Sequence, residues 1–345
     1  MQAVQIFENG GPEVLRVVEL DRPEPGPGEV LVRVLAVSIN HLDLWVRRGM
    51  PGVRLPLPII PGCDGTGEIA ALGEGVASGL EVGMSVVIEP GYSSGKSQHD
   101  QAGNDHLSDD YCVRGEHSDG LDCEYVVLEA RFVFPLPAGV DAVQAAAVPL
   151  VFLTAWSMLN TRACLLKDET VLVLGGASGV GSAAIQIARD LGARVLATAG
   201  SEAKRDLCRE LGAEHVVDHR DKEWGREIKA LTDKRGVDVV FEHVGPATWA
   251  GSMGCMARNA RLVTCGGTTG PEVPVLLPRL FIKNLSVLGS TMGPRLALRE
   301  IMNKVADGAY APVVQQVLPL SQVQEAHQLL EDRQVIGKIV LIPGT

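Results

Sequence analysis

From Asp168 onward, runs of four to six apolar residues alternate with helical periods, and few architectures accept that pattern. The runs are VLVLG (171–175), ARVLATAG (193–200), EHVVD (214–218), VDVVFEH (237–243), ARLVTCGG (260–267) and LSVLGS (285–290). Continuous apolar strands of this kind belong to a parallel sheet covered by helices on both faces. The intervening SAAIQIARDLG, EAKRDLCRELG and WGREIKALTDKRG space apolar residues three and four apart and close at Gly, a usual helix stop. Six such strands predict an α/β, doubly wound sheet.

The first third has another texture. EVLVRVLAVSIN (Glu29 to Asn40), TGEIAALG and SVVIEP read as short strands between Pro and Gly clusters such as RPEPGPGE, which predicts an irregular, barrel-like β domain. A length of 345 residues also favours two domains. The tail SQVQEAHQLLEDRQVIGKIVLIP adds a helix and a strand (Lys338 to Ile342). Six strands complete the doubly wound sheet, so the tail is expected to return to the β domain. The expected division is 1–150 with 293–345, and 151–292.

Composition narrows the partners. The formal net charge is −11 and no Lys/Arg cluster stands out, which disfavours nucleic acid and anionic membrane. The N-terminus has no basic segment followed by an apolar one, and nowhere do eighteen apolar residues run together; a cytoplasmic protein is expected. Seven scattered cysteines without CxxC spacing read as reduced thiols.

VLVLGGASGVGSAAIQIAR is strand, tight turn and helix, with Gly176, Ser178, Gly179 and Gly181 matching G-x-G-x-x-G with Ser at the second glycine and Val180 between the last two. Glycines there let the backbone turn sharply and approach a pyrophosphate held at the helix N-terminus. The six-strand context that this motif requires is present, so a dinucleotide site is predicted. NAD sites place a carboxylate at the end of the second strand; here stand Thr198, Ala199, Gly200 and Ser201, followed by Lys204 and Arg205. That arrangement favours NADPH, whose 2′-phosphate a carboxylate would repel. The competing reading makes Lys204 and Arg205 a solvated helix face and lets Glu202 meet an NAD ribose.

With PGCDGTGEIAALGEGV preceding this loop, the whole chain resembles the medium-chain dehydrogenase/reductase superfamily, and DETVLVLGGASGVGSAAIQIAR resembles its quinone oxidoreductase signature. The resemblance implies a GroES-like β-rich catalytic domain, a Rossmann domain and a C-terminal return. Two branches compete, zinc alcohol dehydrogenases and zinc-free quinone or enoyl reductases.

The long polar stretch EPGYSSGKSQHDQAGNDHLSDDYCV (Glu89 to Val113) resembles the lobe that in zinc-containing relatives carries four cysteines. Their places here are Ser94, Ser97, Asp100 and Ser108. Hydroxyls and one carboxylate cannot hold tetrahedral zinc, so no structural metal is expected. The lobe is then either mobile or held by local Ser/Asp/Asn bonds. His99, His106 and Cys112 lie nearby; a substitute metal site there is one reading and solvated loop residues the other.

The catalytic ligand positions implied by the resemblance fall at Asn40, Cys63 and Leu150, with Asp64 beside them. Only Cys63 is a good ligand, so no catalytic zinc is expected. Without a Lewis acid, hydride goes best to an acceptor that spreads its own developing charge. The expected activity is NADPH-dependent reduction of an activated C=C (enone or enoyl) or a quinone, on a small hydrophobic substrate.

By resemblance, Asn40 donates to a substrate oxygen, His41 and Asp43 orient the cofactor or relay a proton, and Thr154 lies under the nicotinamide. On residues alone Asn40 reads equally as a helix cap, Asp43 as a helix-start charge and Thr154 as a core residue. Gly266 and Gly267 are expected at the carboxamide, His219 and Arg220 around the 2′-phosphate, and Lys338 near the cofactor, its alternative being an edge-strand charge. Trp45, Met50 and Leu55 are candidate pocket residues. No Tyr follows the first helix, so the proton donor is unassigned and solvent is one candidate. A homodimer through NLSVLGS is implied. Two other readings stay open: an alcohol or aldehyde dehydrogenase with an atypical Cys63/Asp64/His41 zinc set, and a non-catalytic NADPH-binding protein.

Overall fold

The structure is a computed structural model describing every residue except Pro51, Ala77, Ser78 and Thr345. The chain forms two compact units, Met1–Leu150 with Pro294–Thr345, and Val151–Gly293.

In the first unit the organising strand is Glu29–Ser38. It pairs antiparallel with Asp64–Leu72, Tyr125–Glu129 and Lys338–Ile342, so the tail supplies an interior strand of this sheet. Its Val30, Val32, Val34 and Val37 are β-branched residues suited to a pleated surface. All four are buried in one cluster with Ile69, Val86, Ile88 and Leu121. At about 1.5–3 kcal/mol for each fully buried aliphatic side chain, this cluster supplies much of the drive that closes the barrel-like sheet. The register pairs Gly65 with Ile88 at one end of the sheet, which places Asp64 opposite Glu89 at the same rim.

The polar lobe leaves this unit at Glu89 and returns through a short ladder in which Gly91 faces Val113 and Tyr92 faces Cys112. Hydrogen bonds hold its interior. Asp100 accepts from the hydroxyls of Ser93 and Ser108 (3.2 Å for Ser108) and from the backbone N–H of Ser97 (2.8 Å). Ser108 shares its single hydroxyl proton with Asp110, the nearer acceptor (2.6 Å), whose other oxygen accepts from the N–H of Ser94 (3.1 Å). The four positions Ser94, Ser97, Asp100 and Ser108 are thereby tied into one network. These donors lower the Asp100 carboxyl to about 2, with the Ser93 hydroxyl the largest contributor. His106 departs from the solvated reading: it is buried, because the turn Asp105–Leu107 packs inward.

The second unit is a six-stranded parallel sheet in the order His215–Val217, Arg194–Thr198, Thr170–Val173, Val237–Glu242, Met256–Thr264, Ser286–Gly289. All six predicted strands are present, the fifth beginning earlier than its apolar run suggests. Val171, Leu172, Val173 and Leu174 are fully buried, as a strand covered on both faces requires. Chain order reverses on either side of Thr170–Val173, which makes its carboxyl end a topological switch point, where folds of this class bind ligands. Among the described residues no helix is long and apolar enough to cross a membrane, and the seven cysteines are free thiols.

Candidate active site

In the first unit the residues gather around Asn40, which stands at the start of helix His41–Arg48. Its backbone N–H donates to Asp43 (2.6 Å), so Asp43 fixes the entry into the helix. Its side-chain Nδ2 donates to Asp64 (2.8 Å), while its Oδ1 accepts from Lys338 Nζ. A carboxylate on one side and an ammonium on the other leave only one orientation for this amide. The second Nδ2 hydrogen faces the Ser38 carbonyl and the Cys63 sulfur at the longer distances of 3.3 and 3.6 Å. Asn40 therefore opens the helix and also belongs to the polar cluster; its two readings are compatible.

Asp64 is fully buried. One carboxylate oxygen meets Asn40 and Lys338 (3.4 Å), and the other accepts from the backbone N–H of Leu150 (2.7 Å) at the start of helix Pro149–Trp156. The residues at the three expected ligand positions are thus assembled, Asn40 and Cys63 by direct contact and Leu150 through Asp64. Lys338 is buried on an interior strand between Val314–Pro319 and Glu29–Ser38, which corrects the edge-strand alternative. Burial raises the Asp64 carboxyl, and the Lys338 charge acts against that rise. Burial likewise lifts Asp43 to about 7 and the Cys63 thiol well above its ordinary value. His41 is exposed, while Met50 and Leu55 pack with Ile39 and Ile59 in an apolar cluster. Among the described residues no group of three or more His, Cys, Asp or Glu side chains is placed to hold a metal ion.

In the second unit the glycine turn sits at the switch point. Ser178 caps helix Gly179–Asp190, its Oγ accepting from the N–H of Gly181 (3.0 Å), so the hydroxyl at the second glycine position shapes the turn. A Cβ on Gly181 would lie 2.4 Å from the Gly175 carbonyl, which requires glycine there. Thr198, buried at the end of the second strand, receives the Gly175 N–H on its Oγ1 (3.1 Å) and shares a hydrogen bond with His219 Nδ1 (3.2 Å). Space above Gly200 is bordered by the His219 ring and the Arg220 side chain. Ser201 caps the next helix through the Lys204 N–H. Arg220 lies on Asp218 (2.6 Å), Arg205 bridges Asp218 and Glu202, and Glu202 also meets Arg209. Glu202, the alternative ribose acceptor, is engaged by these arginines. Gly266 and Gly267 follow the fifth strand, and the Gly267 backbone abuts Gly245. Thr154 is buried on its helix.

Two groups escaped the sequence reading. Glu242, fully buried, collects the N–H groups of Val244 and Gly245 and the hydroxyls of Thr248 and Ser252, organising the loop after the fourth strand. His243 lies beneath the glycine turn and donates from Nε2 to the Leu174 carbonyl (2.7 Å). Their signal was adjacency to a strand end, which does not separate them from core-capping residues.

This architecture agrees with comparisons to known proteins. Residues 26–138 match the alcohol dehydrogenase GroES-like domain family and residues 179–307 the zinc-binding dehydrogenase family. The quinone oxidoreductase of Pseudomonas aeruginosa is 32% identical over 99% of this chain and 99% of its own. Among solved structures, an NAD-dependent alcohol dehydrogenase is 44% identical with a TM-score of 0.96, covering 100% of both chains. A crotonyl-CoA carboxylase/reductase in complex with NADP is 27% identical with a TM-score of 0.89, covering 99% of this chain and 94% of that one. The chain belongs to the medium-chain dehydrogenase/reductase superfamily and is an oxidoreductase.

Proposed function

We propose that this protein is an NADPH-dependent, zinc-independent reductase of activated C=C bonds or quinones, the first unit serving as catalytic domain and the second as dinucleotide-binding domain. The observation that carries the reading is the Asn40–Asp64–Lys338 cluster. A zinc ion needs three good donors, yet this place offers an amide, a carboxylate already held by an ammonium, and a thiol that burial keeps protonated. The donor set does not fit zinc.

The same cluster suits an acceptor that carries its own charge. Lys338 has three N–H donors, two of them directed at Asn40 and Asp64, and its charge favours an oxyanion formed beside it. The second Nδ2 hydrogen of Asn40, in long contacts only, is the amide donor for the same oxygen. Asp43 and Asp64 act as positioning residues that hold Asn40. A bound nicotinamide supplies the hydride. The glycine turn, with Gly176, Ser178, Gly179, Val180 and Gly181, fits its pyrophosphate, since it stands at the N-terminus of helix Gly179–Asp190 and Gly181 lets the turn close tightly on the Gly175 carbonyl. Gly200, Ser201, Lys204, His219 and Arg220 are assigned to the 2′-phosphate, Gly266 and Gly267 to the carboxamide, and Thr154 and His41 to orienting the ring. The likeness to quinone oxidoreductases and to an NADP-bound reductase supports this reading.

Turnover of an enone or quinone by protein containing substoichiometric zinc, unaffected by chelation and faster with NADPH than NADH, is the expected result. Stoichiometric zinc together with loss of activity on chelation rejects it. A second reading, an NADH-linked alcohol or aldehyde oxidoreductase, is favoured by the 44% identity to an NAD-dependent alcohol dehydrogenase and by the carboxylate of Asp218 beside Arg220. Preference for NADH in the same assay selects it.

We further infer a homodimer through the edge strand Ser286–Gly289. Leu276, Leu277, Phe281, Ile282 and Val287 are all exposed on or beside it, an apolar surface that a second copy would cover. Sedimentation of a monomer at micromolar concentration speaks against it.

A further inference from the structure

The first unit contains a second buried polar group, one that neither the ligand positions nor the glycine turn explains. Glu89 is fully buried, and neither of its carboxyl oxygens has a hydrogen-bond partner among the described residues. Tyr111 Oη and one oxygen of Asp105 are buried and unpartnered as well. Buried polar atoms without partners are rare in folded proteins, and each one costs stability. Several gathered among three side chains call for a purpose.

Their placement is built by the fold. The Gly91–Tyr92/Cys112–Val113 ladder returns the chain so that Tyr111 lies over the backbone that follows Glu89. A Cβ on Gly91 would lie 1.8 Å from Tyr111 Oη, so the hydroxyl is seated where only glycine leaves room. Arg114 locks the other side of the turn, donating to the Glu89 carbonyl (3.3 Å) from a guanidinium stacked near Tyr92 and Phe132. Asp105 is fixed by the Arg295 N–H (2.9 Å). The group also adjoins the active-site cluster. Glu89 stands opposite Asp64 across the sheet and feels its charge.

We propose that Tyr111 and Glu89 are the proton-supply pair of the reaction, Tyr111 as catalytic acid and Glu89 as the positioning residue that recharges it. This rests on the reductase reading. After hydride reaches the β-carbon of an enone, the Tyr111 O–H bond breaks as a C–H bond forms at the α-carbon. A water bridging the two groups carries the proton of the Glu89 carboxyl to Tyr111 in the same event, and solvent reprotonates Glu89. One hydride and one proton are consumed per double bond. The concerted form is required because a buried phenolate beside Asp105 is strongly disfavoured: burial is the largest cause raising the Tyr111 hydroxyl and Asp105 adds to it, against a smaller opposing effect of Arg114. Burial and Asp105 likewise keep Glu89 protonated, with Asp64 acting the same way and Arg295 and Arg114 opposing. A neutral carboxyl both donates and accepts, as relay demands.

The test uses the full chain, NADPH and a prochiral enone in D2O. Tyr111→Phe and Glu89→Gln each keep side-chain volume, and circular dichroism and NADPH titration report whether the fold and the cofactor site persist. The expected result is a loss of about 100-fold in kcat for each variant, with deuterium at the α-carbon delivered to one face by the wild type and to both faces by the variants. Variants that keep wild-type kcat and facial selectivity overturn the proposal. A wild type that reduces no enone overturns the reductase reading itself and takes this pair with it.

Discussion

Lys338 Nζ donates to Asn40 Oδ1 across 298 residues of sequence, so the strand that closes the chain sets the side-chain orientation of the residue that opens its first helix. Asp64 completes the contact from a second strand. The consequence is a cluster whose members depend on each other.

Removing Lys338 leaves the buried Asp64 without its cation. Breaking a buried pair on one side typically costs about 3–5 kcal/mol. Lys338→Met is expected to lower unfolding free energy by that order in urea titration, and Lys338→Met/Asp64→Leu to recover most of it. A single variant as stable as wild type excludes the pairing.

Asp43 links this site to pH. Its carboxyl stands near 7 in the folded state, chiefly through burial, against an ordinary value of 3.8. Below about pH 4 both folded and unfolded chains hold the proton. Between about pH 4 and 7 the unfolded chain releases it first, so stability falls as pH rises, by up to about 4 kcal/mol. Asp43→Asn removes that contribution. The difference in unfolding free energy between wild type and variant should therefore slope over pH 4–7 and flatten above it.

Cofactor choice is checked at Lys204. Lys204→Glu places a carboxylate beside the assigned 2′-phosphate position and is expected to weaken NADPH at least about tenfold, roughly 1.4 kcal/mol, while NADH affinity changes less. Fluorescence titration of both cofactors reads this directly. Equal effects on the two remove Lys204 from the 2′-phosphate site.

Asp100 is the hub of the polar lobe. Asp100→Ala strips the carboxylate acceptor from Ser93 and Ser97 and leaves Ser108 with Asp110 alone, at an expected cost of about 1–3 kcal/mol. Cleavage between Ser93 and Tyr111 in limited proteolysis should accelerate in the variant, and an unchanged digestion pattern would show that the lobe is held by something else.

Much of the architecture was legible because period carries it. Six apolar runs became six parallel strands, and the VLVLGGASGVG turn fell at the reversal of strand order. The site was legible only where local sequence encodes it. Asn40, Cys63 and Asp64 could be singled out one at a time, whereas the contact of Lys338 with both Asn40 and Asp64 depends on which strand the tail joins. Glu89 and Tyr111 read as loop residues, since burial of a polar side chain by a distant segment leaves no periodic trace. The pairing of Arg220 and Arg205 with Asp218 was hidden for the same reason: charges that look available along a sequence are neutralised by neighbours that only folding supplies.

The serine and aspartate knot of the lobe has a physiological corollary. A cysteine-bound metal would make this segment answer to zinc supply and to oxidants, whereas hydroxyls and carboxylates are indifferent to both. What the knot does respond to is acid: with Asp100 ionising at about 2, its contribution is complete above about pH 4 and fades as pH drops toward 2. The lobe should keep its shape under metal starvation and peroxide, and loosen only where protons reach the aspartate.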